Sequence, residues 1–468
     1  MARFDRTIGR HERAKPLAGI LQHNGWVDLS RETAFVAGYG ECDLTSPLGV
    51  ELSGYGYYLE RRAQSVMDPL KARALCLRRG QHSALLVCCD LIGLTVAHSD
   101  TIRASIARGL GIPASHVLLA CTHTHAGPAT LPLRGCGEMD PAYVATVASL
   151  VERAALAAVD DARPARLACT FPVIEPIGYN RRLRCFDPID PVLKVALLER
   201  EAGSIVLTSY ACHAVTLGRV TGVSADWPGG VVRAFERRGY HALAFQGFCG
   251  DIDPVLFLNK WGSGTAQDLD FYGELLCQRA LKALQGAERD AAPGMAAAED
   301  RLTLPLDVPA SRADLDRELA SYLGSEQSPG AERMIRGWYA EASARLADLQ
   351  ATPCLVNVPV QGLAVGGLRL LGLPGEVFSE YSVGLRATWP KLFTIGYANG
   401  VVGYIPTAET YDHTDDYAAY AAPRFYHLFP FKREVEQVVL AASRRVLQRL
   451  GGTRPPGGGS SEHTESER

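Results

Sequence analysis

The chain has 468 residues, of which 47% are apolar and 21% are charged, a composition typical of globular proteins with a large buried core. It carries 48 Lys and Arg residues against 51 Asp and Glu residues, a formal net charge of −3. This balance leaves no basic field that would bind nucleic acid or an anionic membrane. We therefore expect a small-molecule substrate as the main partner, and the composition leaves the oligomeric state open.

The N-terminal segment and the cysteines indicate the compartment. Residues 1–26 contain no apolar stretch of signal-peptide length, and no later segment reaches the roughly 18 consecutive apolar residues of a membrane span. The 12 cysteines are scattered and form no CxxC pair, which argues against a thiolate zinc site. In a reducing compartment such cysteines act as small buried apolar side chains. We expect a cytoplasmic protein without a stable membrane anchor.

Short apolar strands alternate with amphipathic helices from Phe35 onward. This alternation predicts an α/β protein with one large domain, residues 33–450, in which mixed sheets carry flanking helices. Residues 1–32 are predicted to form an irregular arm. Strands are predicted at 84–89, 117–122, 166–171, 192–198, 205–211 and 242–245, and helices at 97–108, 141–160, 228–238 and 265–288.

The second half of the chain adds helices before the strand pattern resumes. Residues 287–300 are rich in Ala, Gly and Pro and are predicted to be a linker. Helices at 311–322 and 330–350 are predicted to form a helical insert at about 300–350. Strand patterns follow at 354–373 and 391–402, the last helix at about 432–450, and residues 451–468 have the composition of a disordered tail.

Two histidines, His123 and His125, follow the strand predicted at 117–122 in the segment ACTHTHAGPAT. In an extended chain, side chains two apart point to the same face, and open α/β sheets bind ligands at the carboxyl ends of their strands. The pair therefore indicates a metal site, with two structural histidines as the alternative. Gly127 and Pro128 stand where the HxHxDH motif of metallo-β-lactamases needs Asp and His. The α/β pattern before the pair also argues against an amidohydrolase barrel.

Other candidate ligands also lie at the ends of predicted strands. His213 follows the strand at 205–211, a position at which lone histidines are often structural. Glu376 follows the turn Pro374-Gly375 and is predicted to open a helix, where the helix dipole alone favours a carboxylate. Tyr404 and Tyr417 lie in a Gly-rich segment, and tyrosines in loops usually pack with an exposed hydroxyl.

The segment HALAFQGFCGDIDP, residues 241–254, is predicted to be a strand that runs into a tight turn. Gln246, Gly247 and Asp251 would line a pocket there, or else form an ordinary bend. Nothing nearby in the sequence activates the thiol of Cys249, so we do not expect it to be a nucleophile.

In chain order, ten segments of the sequence resemble the catalytic domain of the neutral/alkaline (non-lysosomal) ceramidase family. They are GYGECDLTSPLGVELSGYG, DPLKARAL, CDLIGL, THTHAGP, YNRR, ACHAVTLG, SADWPGG, QGFCGDIDP, LPGEVF and GYIPTAETY. Together they span about residues 35–425. Each motif is modest alone, but ten in one order are specific. The resemblance implies a zinc hydrolase that cleaves an amide bond, and we expect a short bacterial-type member without the C-terminal β-sandwich domain of the ceramidases.

Carried over residue by residue, the resemblance implies the zinc ligands His123, His213, Glu376 and Tyr404. It places His125 on the substrate side. Arg181 of YNRR matches an arginine that lines the family's site. Tyr417 matches a second active-site tyrosine, although its spacing from Tyr404, 417 − 404 = 13, is one residue longer than in the ceramidases.

The implied reaction is attack of zinc-bound hydroxide on an amide carbonyl. His125 and the tyrosines would then donate hydrogen bonds to the oxyanion or protonate the leaving amine. The active-site serine of the ceramidases aligns with Gly247, so we expect a small or amphiphilic soluble amide instead of ceramide. An esterase or lactonase with the same zinc chemistry, and a metal-containing binding protein without catalysis, are the alternatives.

Overall fold

A computed structural model describes residues 34–324 and 327–451 of the chain. The strands are β1 Phe35–Asp43, β2 Ser65–Val66, β3 Lys71–Arg79, β4 His82–Cys89, β5 Val117–Cys121, β6 Arg163–Pro164, β7 Arg166–Thr170, β8 Gly178–Asn180, β9 Lys194–Glu199, β10 Ile205–Tyr210, β11 Gly222–Val223, β12 His241–Gln246, β13 Ile252–Pro254, β14 Met295–Pro305, β15 Cys354–Val365, β16 Leu368–Gly372, β17 Glu376–Val377, β18 Leu392–Ile395 and β19 Tyr404–Ile405. The α-helices are α1 Val96–Leu110, α2 Pro141–Asp160, α3 Asp226–Glu236, α4 Ala266–Leu284, α5 Arg312–Leu323, α6 Pro329–Ala351, α7 Ser379–Thr388 and α8 Val435–Arg449. The predicted arm at 1–32 and the tail from residue 452 lie outside the described residues.

The first sheet has the strand order β5-β4-β3-β1-β6, and α2 packs against its β1 strand. Two glycines of β1 allow this close approach. A Cβ on Gly38 would lie 2.0 Å from the carbonyl oxygen of Ala158, and a Cβ on Gly40 would lie 2.3 Å from that of Ala154. Among the described residues, α2 is the helix long and apolar enough to cross a membrane, by length and composition only.

A second sheet, β12-β10-β9-β7, and a third, β14-β15-β16-β18, complete the main body. Apolar side chains from the three sheets form a buried inner layer, which accounts for the continuous apolar runs in the central strands. Representative buried members are Leu86, Leu207, Phe245, Leu370 and Phe393. The α/β class with mixed sheets is therefore confirmed.

The pairing of the strands brings distant segments of the chain to one edge. Strand β5 runs parallel to β4, and β10 runs parallel to β12. The short strands β17 and β19 are also parallel, and they pair Glu376 with Tyr404. Because β5, β10 and β12 end just before His123, His213 and Gly247, the loops that carry the predicted site residues follow the carboxyl ends of these strands.

Most predicted elements are confirmed with small shifts at their ends, but the strand predicted at 391–402 already ends at Ile395, and two further assignments differ from the structure. The linker predicted at 287–300 is confined to residues 287–294, because residues from Met295 onward form β14, whose backbone pairs antiparallel with β15. The small residues of that segment are compatible with the hydrogen-bond ladder of a sheet as well as with a loop. Glu376 does not open a helix: it lies in β17, and α7 begins at Ser379 with Phe378 as its N-cap.

The predicted helical insert is a hairpin of α5 and α6. It packs against the segment at 422–431 rather than standing free. The indole of Trp338 donates a hydrogen bond to the carbonyl of Leu428 and packs edge-on against Phe429. Arg424 forms an ion pair with Glu318 of α5. The hairpin therefore braces the segment that carries Phe425 and Tyr426.

Candidate metal centre and active site

His123 follows β5 and is buried, with its Nδ1 atom 2.6 Å from the carbonyl oxygen of Ile92. Because a carbonyl only accepts, Nδ1 carries the proton and Nε2 keeps a free lone pair. The ring stacks on Tyr397, with centroids 4.0 Å apart. The backbone of His123 has a φ of 58°, a left-handed conformation that residues other than glycine rarely adopt. The imidazole is therefore held firmly, with Nε2 directed away from the strand.

His213 follows β10 and is anchored in the same way. Its Nδ1 donates to the carbonyl of Cys249 at 2.7 Å, and its Nε2 lies 2.9 Å from Oε2 of Glu376. Metal-binding histidines almost always anchor their second ring nitrogen to a carbonyl or carboxylate in this manner. Both His123 and His213 therefore have the geometry of ligands.

His125 lies between the cavity and the other two histidines, and it has no such anchor. Its Nε2 is 3.1 Å from Nε2 of His123, but its Nδ1 is buried without a hydrogen-bond partner among the described residues. A Cβ on Gly54 would lie 2.3 Å from this Nδ1, so only a glycine leaves room for the ring. One nitrogen from each of the three histidines lies within 4.8 Å of the others, a spacing that could hold a metal ion.

Glu376 is buried beside these rings, with Oε2 3.6 Å from Nε2 of His123. Its other oxygen, Oε1, accepts a hydrogen bond from the hydroxyl of Tyr426. Burial opposes ionisation of Glu376, but His123 and His213 outweigh it and lower its pKa to about 2. A buried carboxylate that stays charged requires a cationic partner, and a divalent metal ion would meet that requirement.

The electrostatics favour neutral imidazoles at two of the three histidines. Burial lowers the pKa of His123 to about 4 and that of His125 well below its usual value. For His213, burial acts in the same direction, but the contacts with Cys249 and Glu376 reverse it and raise the pKa to about 10. Metal ligation requires the neutral ring, so a bound cation would replace the proton that otherwise balances Glu376.

Tyr404 and Arg181 complete one side of the centre. The Nη2 atom of Arg181 donates to the Tyr404 hydroxyl at 2.8 Å and to the carbonyl of Gly250 at 2.7 Å. Its Nη1 atom donates to Asp253 at 3.2 Å. These contacts fix the Tyr404 ring beside Glu376, its neighbour across β17 and β19.

No protein-family model and no curated protein matches the chain. A solved ceramidase complexed with C2 superposes with a TM-score of 0.68 at 16% identity, covering 91% of this chain and 78% of that one. The neutral ceramidase from Pseudomonas aeruginosa superposes with a TM-score of 0.66 at 18% identity, covering 91% and 77%. The chain has the neutral-ceramidase fold. The resemblance predicted from the ten motifs is confirmed at that level.

Within the neutral-ceramidase fold, three predicted substrate contacts lie behind the histidines. Gln246 is fully buried and donates to the carbonyl of Thr122 at 3.0 Å. Asp251 accepts from the backbone and hydroxyl of Ser379 at 2.7 and 3.0 Å, and Gly247 packs on the backbone of Ala211. These contacts hold strand ends together. That Gln246, Gly247 and Asp251 bind the substrate stays a prediction.

A cavity of about 240 Å³ opens in front of the centre. Its wall includes His125, Arg181, Tyr404 and Tyr417, so four predicted residues meet there. The Tyr417 ring is half exposed and stands edge-on to Tyr404 at 5.7 Å. A second cavity of about 540 Å³ shares Arg181 and Tyr417 and continues toward the acidic loop at 413–416. Tyr417 therefore contributes to the walls of both cavities.

Sequence reasoning did not find Tyr397 or Tyr426, which both contact the centre. Tyr397 supports the ring of His123, and its hydroxyl lies 3.4 Å from Sγ of Cys249. Tyr426 is the last residue of a short 3-10 helix and has no motif around it. Tyr397 lies in the same Gly-rich segment as Tyr404, which was a usable signal; for Tyr426 the sequence carries none.

Proposed function

We infer that the protein is a zinc-dependent hydrolase that cleaves the amide bond of a small or amphiphilic substrate. The observation that supports this function best is the convergence of His123, His213 and Glu376 at strand ends in front of an open cavity. The same fold carries ceramidase activity in the two solved structures named above.

The donor set fits zinc, which prefers imidazole nitrogen and carboxylate oxygen. We assign His123, His213 and Glu376 as ligands. The Nδ1 atom of each histidine and the Oε1 atom of Glu376 are held by hydrogen bonds to other protein groups, which leaves the remaining nitrogen or oxygen for the metal. Tyr404 is the fourth member, held in place by Arg181. His125 is not assigned as a ligand, because its Nδ1 has no anchor within the described part of the chain.

A zinc ion in this position supplies a Lewis acid and lowers the pKa of water toward neutrality. His125, neutral and with its Nε2 turned to the centre, would accept a proton from the attacking water and pass it to the leaving amine nitrogen. Tyr417 presents its hydroxyl from the cavity side and donates to the substrate carbonyl oxygen as negative charge develops. Arg181 keeps Tyr404 in place and adds positive charge beside the same oxygen.

The cavity wall supports a polar or amphiphilic substrate. Aromatic rings from Tyr55, Tyr57 and Phe425 line the same cavity as the charged groups of Arg181 and Asp253. Aromatic faces accept an acyl group, and the charged groups would orient polar atoms near the scissile bond.

The test combines metal analysis with turnover. Purified protein is assayed for zinc and for hydrolysis of an N-acyl amine and the ester of the same acyl group. We expect about one zinc per chain, loss of amide hydrolysis with a chelator, and recovery when zinc is added back. His213→Ala should contain no zinc and show no turnover. Full activity in the metal-free protein contradicts the proposal, and so does one zinc per chain without turnover of either compound. Turnover of the ester alone would show that the protein is an esterase and not an amidase.

A further inference from the structure

The cavity in front of the centre is lined by two arginines, and one of them has no anionic partner within the described part of the chain. Arg181 is saturated by its contacts with Asp253, Gly250 and Tyr404. Arg219 lies on the same wall. Within residues 34–324 and 327–451 it makes no hydrogen bond and no ion pair, and its side chain is exposed. The wall therefore carries one more positive than negative charge.

An aromatic series connects this free guanidinium to the reactive centre. Arg219 lies over the ring of Trp261, with 5.3 Å between its Cζ atom and the ring centroid. Trp261 stands edge-on to Tyr55 at 5.3 Å, and Tyr55 lies 5.0 Å from the ring of His125. Stacking on Trp261 keeps the planar guanidinium above the cavity mouth while its N–H donors stay available.

A planar guanidinium with free donors recognises carboxylates through paired, charge-assisted hydrogen bonds. A neutral lipid amide offers no group of this kind. An amide whose amine portion carries a carboxylate would place its scissile bond near His125 and its charge near Arg219. Asp253 does not oppose such a ligand strongly, because its own charge is balanced by Arg181.

We propose that the substrate is an N-acyl amino acid or a short N-acyl peptide whose carboxylate binds Arg219. This inference rests on the amide hydrolysis proposed above. Water adds across the amide C–N bond: the acyl carbon takes the hydroxyl, the nitrogen takes the proton, and a carboxylic acid and a free amino acid or peptide leave. No oxidant or co-reactant is needed.

The test uses substrates that differ only in the terminal charge. N-hexanoylglycine is compared with N-hexanoylglycinamide, and N-hexanoylglycylglycine with its terminal amide. For the wild-type holoenzyme we expect kcat/KM to be about tenfold or more higher for the carboxylate than for the amide in at least one pair. One charge-assisted hydrogen bond to the carboxylate is sufficient for a preference of this size. In Arg219→Gln that ratio should fall to about one, and Arg219→Lys should restore part of it.

Arg153→Gln is the matched control, because Arg153 is an exposed arginine of α2 outside both cavities. It should keep the wild-type ratio. Equal kcat/KM values within both pairs, or an unchanged ratio in Arg219→Gln, overturn the inference while leaving the amidase function in place. If no amide is hydrolysed, the amidase function fails, and calorimetric binding decides the inference: tighter binding of N-hexanoylglycine than of its amide, lost in Arg219→Gln, supports it, and equal binding overturns it.

Discussion

The hydroxyl of Tyr426 donates a hydrogen bond to Oε1 of Glu376, which leaves Oε2 of that carboxylate facing His213 and His123. The segment that carries Tyr426 is in turn braced by the α5–α6 hairpin through Trp338 and Arg424. A structural insert thereby fixes which carboxylate oxygen is presented at the candidate metal centre.

Replacing Tyr426 with Phe should weaken zinc binding, because Glu376 loses the contact that fixes its orientation. Loss of such an outer partner typically lowers metal affinity by about 10–100-fold. Competition with a chromophoric chelator measures this change. Tyr420→Phe is the matched control, since it removes one tyrosine hydrogen bond, to the carbonyl of Tyr411, outside the site. Equal zinc affinities for the two variants would show that Tyr426 does not position Glu376.

The three histidines should separate into two groups when each is changed to Ala. His123 and His213 are anchored through Nδ1, so their variants should lose both bound zinc and activity. The His125→Ala variant should keep zinc and lose activity, by about 10²–10⁴-fold if His125 transfers a proton. Zinc content and kcat measured on the same preparations check this. A zinc-free His125→Ala protein would instead indicate a ligand set of three histidines.

Much of the fold followed from local pattern, whereas part of the site did not. Strand β5 is a continuous apolar run and β10 begins with one, so the apolar pattern predicted both strands, and the histidines stand out directly after them. The strand β14 was missed because its small residues carry little apolar signal, and its order comes from pairing with β15, a partner distant in sequence.

Glu376 could be predicted from the sequence and Tyr426 could not, for the same reason. Glu376 follows a recognisable turn and belongs to a motif, although its strand was mistaken for a helix start. Tyr426 reaches the centre only because the hairpin places its segment there. Contacts made by tertiary packing leave no periodic or motif signal in the sequence around the residue.

Gly250 lies against the backbone of Glu376, and an added methyl group should disturb the centre. A Cβ at Gly250 would stand 2.2 Å from the carbonyl oxygen of Glu376, so β17 would have to move. We expect Gly250→Ala to destabilise the protein by about 1–3 kcal/mol and to lower zinc affinity. Urea unfolding and chelator competition measure the two effects.

Gly286→Ala is the control for this variant, because a Cβ there meets nothing within 4 Å. Its stability should stay within about 1 kcal/mol of the wild type, since alanine restricts the unfolded chain without straining the turn. A Gly250→Ala protein with wild-type stability and zinc affinity would mean that β17 tolerates the displacement.

The buried ion pair between Lys194 and Asp190 should contribute strongly to the stability of the protein. Lys194 is fully buried, with its Nζ 2.5 Å from Oδ2 of Asp190. Lys194→Met keeps most of the volume but leaves the Asp190 charge, among the residues that the structure describes, with only Ser382 and Arg386 as side-chain partners. We expect a loss of about 3–5 kcal/mol in the free energy of unfolding, measured by urea denaturation at neutral pH. Arg336→Met, which removes an exposed ion pair of α6, should cost no more than about 0.5 kcal/mol.

The cost of Lys194→Met should also depend on pH. Burial opposes ionisation of Asp190, but Lys194 and Ser382 outweigh it, so the pKa of Asp190 is lowered on folding. A carboxyl group with a lowered folded pKa stabilises the protein above its unfolded pKa, about 3.9, and this contribution is lost as the pH falls through the folded value. The difference in unfolding free energy between wild type and Lys194→Met should therefore be full at pH 7 and shrink below about pH 4. A difference that stays constant from pH 7 to pH 3 would show that lost packing, and not the loss of the Lys194 charge beside Asp190, destabilises the variant.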